Sequence, residues 1–322
     1  MTSSNALQKF HVIDYLRAIC MIYIVCYWHL IEYLDVSFLQ PNKITESLAY
    51  LVLGLFFMIS GFLNGSDKNK EFVSFYQRKI LRIYPLYFCA LVIFHLLGLN
   101  DGVTSLKAAL FVSPFLDSSP VTLWFVAELF VFLLITPFLL RIKSSLLLIG
   151  ILLSGFYFAT LAMDFSNSMI DSRVVKYFPA YFLGVLAAGG KPINSKVVLV
   201  VLMSIMAALL AHFVTRTNDF LLLEVVCVQV GSFSILFYSL YKLNIVNESQ
   251  LVAKVSFLSF VTYLIHRPIY EVLDRCLNVY DVGIVWPFFV GVAIPMLAFI
   301  AYFIQQYYDK LSKMIFESDR QK

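Results

Sequence analysis

The stretch DYLRAICMIYIVCYWHL, residues 14–30, sets an acid, a cation and an imidazole in an otherwise apolar run. Asp14 and Arg17 are three apart and share a helical face. His29 lies twelve positions after Arg17, roughly 18 Å along a helix at 1.5 Å per residue. Ionisable groups in such runs are costly and mark functional sites by default. A local Asp14–Arg17 pair with an interfacial His beside Trp28 is the plainer account of the same residues. In TLWFVAELF, Glu128 sits one turn after Trp124 and has no partner in its own helix, so it calls for an Arg or His from elsewhere. YLIHRPIY carries Tyr263, His266 and Arg267 ahead of Pro268, where a helix is expected to kink. Ser60 and Gly61 in FFMISGFLNG form a small-residue notch open to a ligand or to another helix. Arg78, Lys79 and Arg82 crowd the start of RKILRIYPLYF. They fit either a membrane anchor or a pocket for a polyanion, where guanidinium forks grip phosphate well. His11, His95 and His212 lack polar neighbours in the sequence and read as structural.

The elements that position these groups follow from composition. The chain has 322 residues, is 61% hydrophobic and 14% charged, and has a mean hydropathy of +0.83. A soluble domain keeps roughly a quarter of its residues charged, so this is an all-α integral membrane protein in which 31 Phe and 19 Tyr suit lipid contact and interfacial belts. A net charge of +4 spread over short segments gives no basis for nucleic-acid binding. The five cysteines lack metal or redox spacing and read as small core residues. Apolar windows of about 20 residues fall at 11–34, 48–64, 81–99, 122–140, 144–163, 174–190, 196–214, 220–241, 253–273 and 284–307. A bundle of about ten spans is expected, the sixth and ninth marked by polar groups, in one domain over 1–322 (core 11–308) without a soluble domain. Arg17 interrupts the first apolar run and no small-residue cleavage site follows, so no cleaved signal is expected.

Orientation follows from Lys and Arg. One set of segments holds Lys9, Lys68, Lys70, Arg78, Lys79, Arg82, Arg141, Lys143, Lys191, Lys196, Lys242, Lys254, Lys310, Lys313, Arg320 and Lys322. The other holds Lys43, Lys107, Arg173, Lys176, Arg216 and Arg275. Sixteen cations against six is a positive-inside bias that puts both termini, and Arg78–Arg82, in the cytoplasm.

Five stretches in this order resemble membrane-bound acyltransferase family 3, the O-acetyltransferases of bacterial carbohydrates: DYLRAICMIYIVCYWH, LGLFFMISGFL, YQRKILRIYPLY, TLWFVAELFVF and SFVTYLIHRPI. The resemblance runs from residue 11 to about 308. It implies that His29 is the catalytic residue, and that Arg17, with Arg78 and Arg82, meets the acyl donor, acetyl-CoA; Lys79 joins this donor set as part of the same basic cluster. Trp124 and Glu128 fall in a stretch that matters in the family, Glu128 as a second catalytic group. Asp14, Ser60, Trp124, Tyr263 and His266 are candidate pocket residues. No metal and no permanently bound cofactor is implied. The implied setting is the inner membrane, with an extracytoplasmic carbohydrate acceptor.

One departure stands out. Many members place ten residues between the helix-1 Arg and His, and this chain places eleven. At 100° per residue, eleven positions return to within about 20°, whereas twelve land about 120° away. Either helix 1 contains a wider turn, as π-bulges at functional sites do, or Arg17 and His29 serve different faces.

The chemistry is coherent. A sugar hydroxyl needs a base, for which an imidazole is suited. His29 could take the hydroxyl proton or carry the acetyl group itself, with Glu128 orienting the ring. Transport or polysaccharide export without acyl transfer is the rival reading of buried charges in a helical bundle.

Overall fold

A computed structural model describes residues 3–34, 41–66, 72–116, 119–142, 145–162, 170–188, 195–215, 221–242, 249–279 and 285–320. Helices joined by short turns make up these residues, with no strand among them. The helices are α1 (Ser3–Tyr23), α2 (Lys43–Gly65), α3 (Phe72–Leu96), α4 (Gly102–Ala109), α5 (Trp124–Ile142), α6 (Leu146–Ala162), α7 (Ser172–Ala187), α8 (Ser195–Thr215), α9 (Leu221–Lys242), α10 (Gln250–Val279), α11 (Val285–Phe288) and α12 (Ile294–Arg320). Two π turns, Ile24–Trp28 and Phe289–Ala293, extend α1 and join α11 to α12. Among the described residues six helices are long and apolar enough to cross a membrane: His11–Tyr33, Lys43–Gly65, Val73–Leu96, Trp124–Ile142, Leu221–Ser239 and Phe289–Ser312. Leu146–Thr160 and Ser195–Ala207 are shorter apolar stretches. The polar sixth and ninth windows fall on α7 and α10.

The centre of the bundle is α2, which packs on α7, α9, α5 and α1. Small residues set its closest approach. A Cβ added at Gly61 would collide with the carbonyl oxygen of Tyr181, and one at Gly184 with that of Met58. Both obstacles are backbone and cannot rotate away, so α2 and α7 meet only because these positions are glycine. Tyr181, buried in the same contact, bonds Thr136 Oγ1 on α5 at 2.6 Å and accepts from Asn64 Nδ2 at 3.4 Å. In contrast, α3 and α12 expose most of their apolar surface, including Val92, Ile93, Leu96, Phe299 and Phe303. Apolar surface on that scale needs an apolar solvent, which a bilayer supplies.

Hydropathy windows and helix ends differ at α3 and α10. Helix α3 begins nine residues before its window, because Gln77, Arg78, Lys79 and Arg82 favour helix while ending the apolar run. Its cations therefore sit on a helix surface and not in a loop. Helix α10 runs on through Pro268 to Val279, six residues past its window. Of the cysteines, Cys20 is buried, Cys26 partly so, and Cys89, Cys227 and Cys276 are exposed; thiols are apolar enough for a lipid-facing surface.

Candidate active site

Helices α1 and α10 lie side by side in the same direction, and their polar residues pair in order. Ser256 Oγ donates to Asp14 Oδ1 at 2.6 Å, and Arg17 Nη2 donates to Ser259 Oγ at 3.0 Å. Further along, His29 Nδ1 lies 2.8 Å from His266 Nε2, the two rings nearly parallel with centroids 4.9 Å apart. Ser256, Ser259, Tyr263, His266 and Tyr270 recur at alternating three- and four-residue intervals, which is one face of a helix. Arg17 and His29 thus address the same face of α10. The π turn makes this geometry. His29 N–H donates to the carbonyl of Ile24, five residues back, at 2.9 Å. That i→i+5 turn takes up one residue, so twelve positions count as eleven on an α-helix. Tyr270 adds a bond from its hydroxyl to the Val25 carbonyl within the turn, at 3.3 Å.

Between the two polar contacts lies a small apolar pocket, with room for about one water molecule, lined by Cys20, Met21, Ile24, Phe56, Phe125 and Tyr263, with Ser259 at one end. At that end Arg82 is within electrostatic reach of Arg17. Arg78 lies one turn before Arg82 on the same side of α3, while the Lys79 ammonium turns away over the Phe75 ring at 5.5 Å, beside a groove between α3 and α5. At the other end, Tyr263 donates its hydroxyl to the Thr122 carbonyl just before α5. Thr122 has a φ of 53°, which is strained for a β-branched residue. Arg267 Nη2 bonds Glu32 Oε2 at 2.6 Å and ties α10 to the residues just after His29.

A second polar cluster joins α5 to α7. Glu128 is fully buried, and neither carboxylate oxygen has a hydrogen-bond partner among the described residues. Its charged neighbours are Asp171, Arg173 and Lys176. Asp171 caps α7 and binds Arg173 through both carboxylate oxygens, with Nη2 to Oδ2 at 2.6 Å. Burial pushes the Asp171 carboxyl up, but bonds from Arg173 and Ser119 hold it below the usual carboxylate range. The Arg173 guanidinium lies over Trp124 at 4.4 Å, and Tyr177 stacks on the same indole. Lys176 bonds Glu224 on α9 at 2.6 Å. Among the described residues no group of three or more His, Cys, Asp or Glu side chains is arranged to hold a metal.

Residues 10–305 match the family described as acyltransferase domain. The chain belongs to membrane-bound acyltransferase family 3. It is therefore an acyltransferase, and the family together with the apolar helices makes it a multi-pass membrane protein. No curated protein and no solved structure gives a match.

In this acyltransferase, His29, His266, Tyr263, Asp14 and Arg17 converge on the α1–α10 seam. Trp124 and Glu128 lie next door, joined to Tyr263 through the Phe125 ring at 5.4 Å. The group in hydrogen-bond contact with His29 is His266, at 2.8 Å. Ser60 points elsewhere: its hydroxyl bonds the Phe56 carbonyl at 2.9 Å, and the adjoining notch at Gly61 is filled by α7. Sequence reasoning missed Ser256 and Ser259, whose three- and four-residue spacing to Tyr263 and His266 was the available signal. It also missed Asp171, Arg173 and Lys176 as the charged neighbours of Glu128, for which spacing offers no signal. His95 is satisfied by the Asn100 carbonyl at 3.3 Å, a structural role.

Proposed function

We propose that this acyltransferase takes an acetyl group from cytoplasmic acetyl-CoA and delivers it across the inner membrane to a hydroxyl of a surface carbohydrate. The observation that carries the reading is the α1–α10 seam, which sets Arg17, with Arg82 in electrostatic reach, and His29 along one face of α10. A nucleotide with several phosphates suits the cations at one end, where Arg78, Arg82 and Arg17 can form charge-assisted bonds. Pantetheine is long, thin and weakly polar, and its length suits the roughly 18 Å from Arg17 to His29 along α1. The thioester then lies near His29, whose Nδ1 is engaged by His266 and whose Nε2 is left for substrate. In the reaction the acceptor O–H gives its proton to His29 while its oxygen attacks the thioester carbon. The C–S bond breaks, and the departing thiolate takes the proton back from the imidazolium. Trp124 and Glu128 form the acceptor side, an indole beside a carboxylate that can accept hydroxyl bonds. This arrangement goes with a bundle of ten spans, both termini cytoplasmic.

Calorimetric titration of the detergent-solubilised protein with acetyl-CoA tests the reading. Saturable binding is expected for the wild type and His29→Ala, and its loss for Arg78→Ala/Arg82→Ala. Absence of binding to well-folded wild-type protein would overturn it and turn attention to transport.

A further inference from the structure

We propose that His266 is a positioning residue that sets the tautomer of His29 and so makes His29 Nε2 the basic atom. The role rests on the acyl-transfer reading above, but the tautomer follows from the contacts alone. His266 Nδ1 lies 2.7 Å from the carbonyl oxygen of Tyr263. A carbonyl only accepts, so the proton of that bond is on His266 Nδ1. In a neutral ring the other nitrogen is then a bare acceptor. His266 Nε2 faces His29 Nδ1 at 2.8 Å, so the proton between them belongs to His29 Nδ1. That leaves the lone pair on His29 Nε2. The chain of donors runs from His29 through His266 to a backbone carbonyl, and every buried nitrogen in it is satisfied without a charge.

The surroundings hold this chain rigid. His266 is fully buried, with Tyr270 edge-on at 5.8 Å and Tyr263 at 5.6 Å. The Tyr263 carbonyl is itself fixed, because its side chain is anchored to Thr122 on the far side of the site. The Glu32–Arg267 ion pair binds together the residues that follow each histidine. Rotation of the His29 ring would break the only bond that its Nδ1 makes among the described residues.

The arrangement also favours the transition state. When the acceptor proton arrives on His29 Nε2, the ring becomes a cation and its Nδ1–H bond to His266 becomes charge-assisted. Such bonds are roughly twice as strong as neutral ones. The gain exists only while His29 carries the proton, which is where catalytic benefit lies. The proton returns to the thiolate when the C–S bond breaks, and the neutral chain is restored.

The test is nitrogen NMR of the full-length protein, labelled at the histidine ring nitrogens and held in lipid nanodiscs, with His29→Gln and His266→Gln used for assignment. The expected result is a protonated Nδ1 and bare Nε2 on His29, and a protonated Nδ1 on His266. A His29 protonated at Nε2 would overturn the proposal without touching acyl transfer. Kinetics supply the second arm. His266→Ala should lower kcat on the order of 10²-fold with the KM for acetyl-CoA within about twofold. His266→Gln should recover most of that loss, since its amide can donate to the Tyr263 carbonyl and accept from His29 Nδ1. Equal loss in the Ala and Gln variants would reduce His266 to packing. Undiminished transfer by His29→Ala would instead sink the acyl-transfer reading, whatever the tautomer.

Discussion

Deleting Cys26 should leave the enzyme active, whereas inserting one alanine after Cys26 should silence it. The π turn Ile24–Trp28 absorbs one residue, and its excision closes the segment to ordinary α-helix. Arg17 and His29 would then be eleven positions apart, within about 20° on an α-helix, so His29 still meets His266. Insertion leaves thirteen positions, of which the π turn absorbs one. Twelve effective positions put His29 about 120° from Arg17, a turn of about 100° from its present bearing. With side chains about 5 Å from the helix axis, that rotation carries the imidazole about 8 Å. Nothing of the 2.8 Å contact with His266 survives such a shift. Loss of a positioned base costs on the order of 10²–10⁴-fold in rate. The assay is transfer of labelled acetyl from acetyl-CoA to the carbohydrate fraction of membrane vesicles, with gel filtration and acetyl-CoA titration to establish that each variant folds. A folded insertion variant at wild-type rate, or a folded deletion variant without activity, would refute this account of the turn.

Other outcomes follow from the same geometry. Gly184→Ala places a methyl group against the Met58 carbonyl, and overpacking of this kind costs about 1–3 kcal/mol or more; thermal unfolding in detergent should show a lower midpoint. Glu128→Gln should raise the KM for the acceptor while leaving that for acetyl-CoA unchanged, and the reverse split would move Glu128 to the donor side. Asp171 is held below the usual carboxylate range, so its pairing with Arg173 stabilises the fold above the unfolded pKa of about 3.9 and loses that contribution as pH falls through the lower folded value. Asp171→Asn should therefore lower the unfolding midpoint at pH 7, and the gap from wild type should close as pH falls below about 4.

How far the site was legible depends on the range of each interaction. The wider turn before His29 was one of two alternatives raised by a count along one helix, and the i→i+5 bond from His29 to Ile24 selects it. Tyr263 and His266 stood out as polar groups in an apolar run, and they do line the seam. That Ser256 and Ser259 face Asp14 and Arg17 follows from which helices pack together, and hydropathy carries no such information. Glu128 called for a partner from another helix, but its charged neighbours Asp171, Arg173 and Lys176 come near it through the α5–α7 contact, which one helix read alone does not show. Gly61 read equally well as a ligand notch or a helix contact; the matching glycine at 184 decides for contact. At the start of α3, hydropathy located the apolar run but not the helix, since Arg and Lys continue a helix while leaving the bilayer.

The most direct measurement of the central claim uses inside-out vesicles with labelled acetyl-CoA supplied only to the cytoplasmic face and the acceptor carbohydrate enclosed. Wild-type protein should place label on the enclosed carbohydrate, and His29→Ala should bind acetyl-CoA with wild-type affinity yet transfer nothing. Label reaching the carbohydrate at the same rate with His29→Ala would contradict the account.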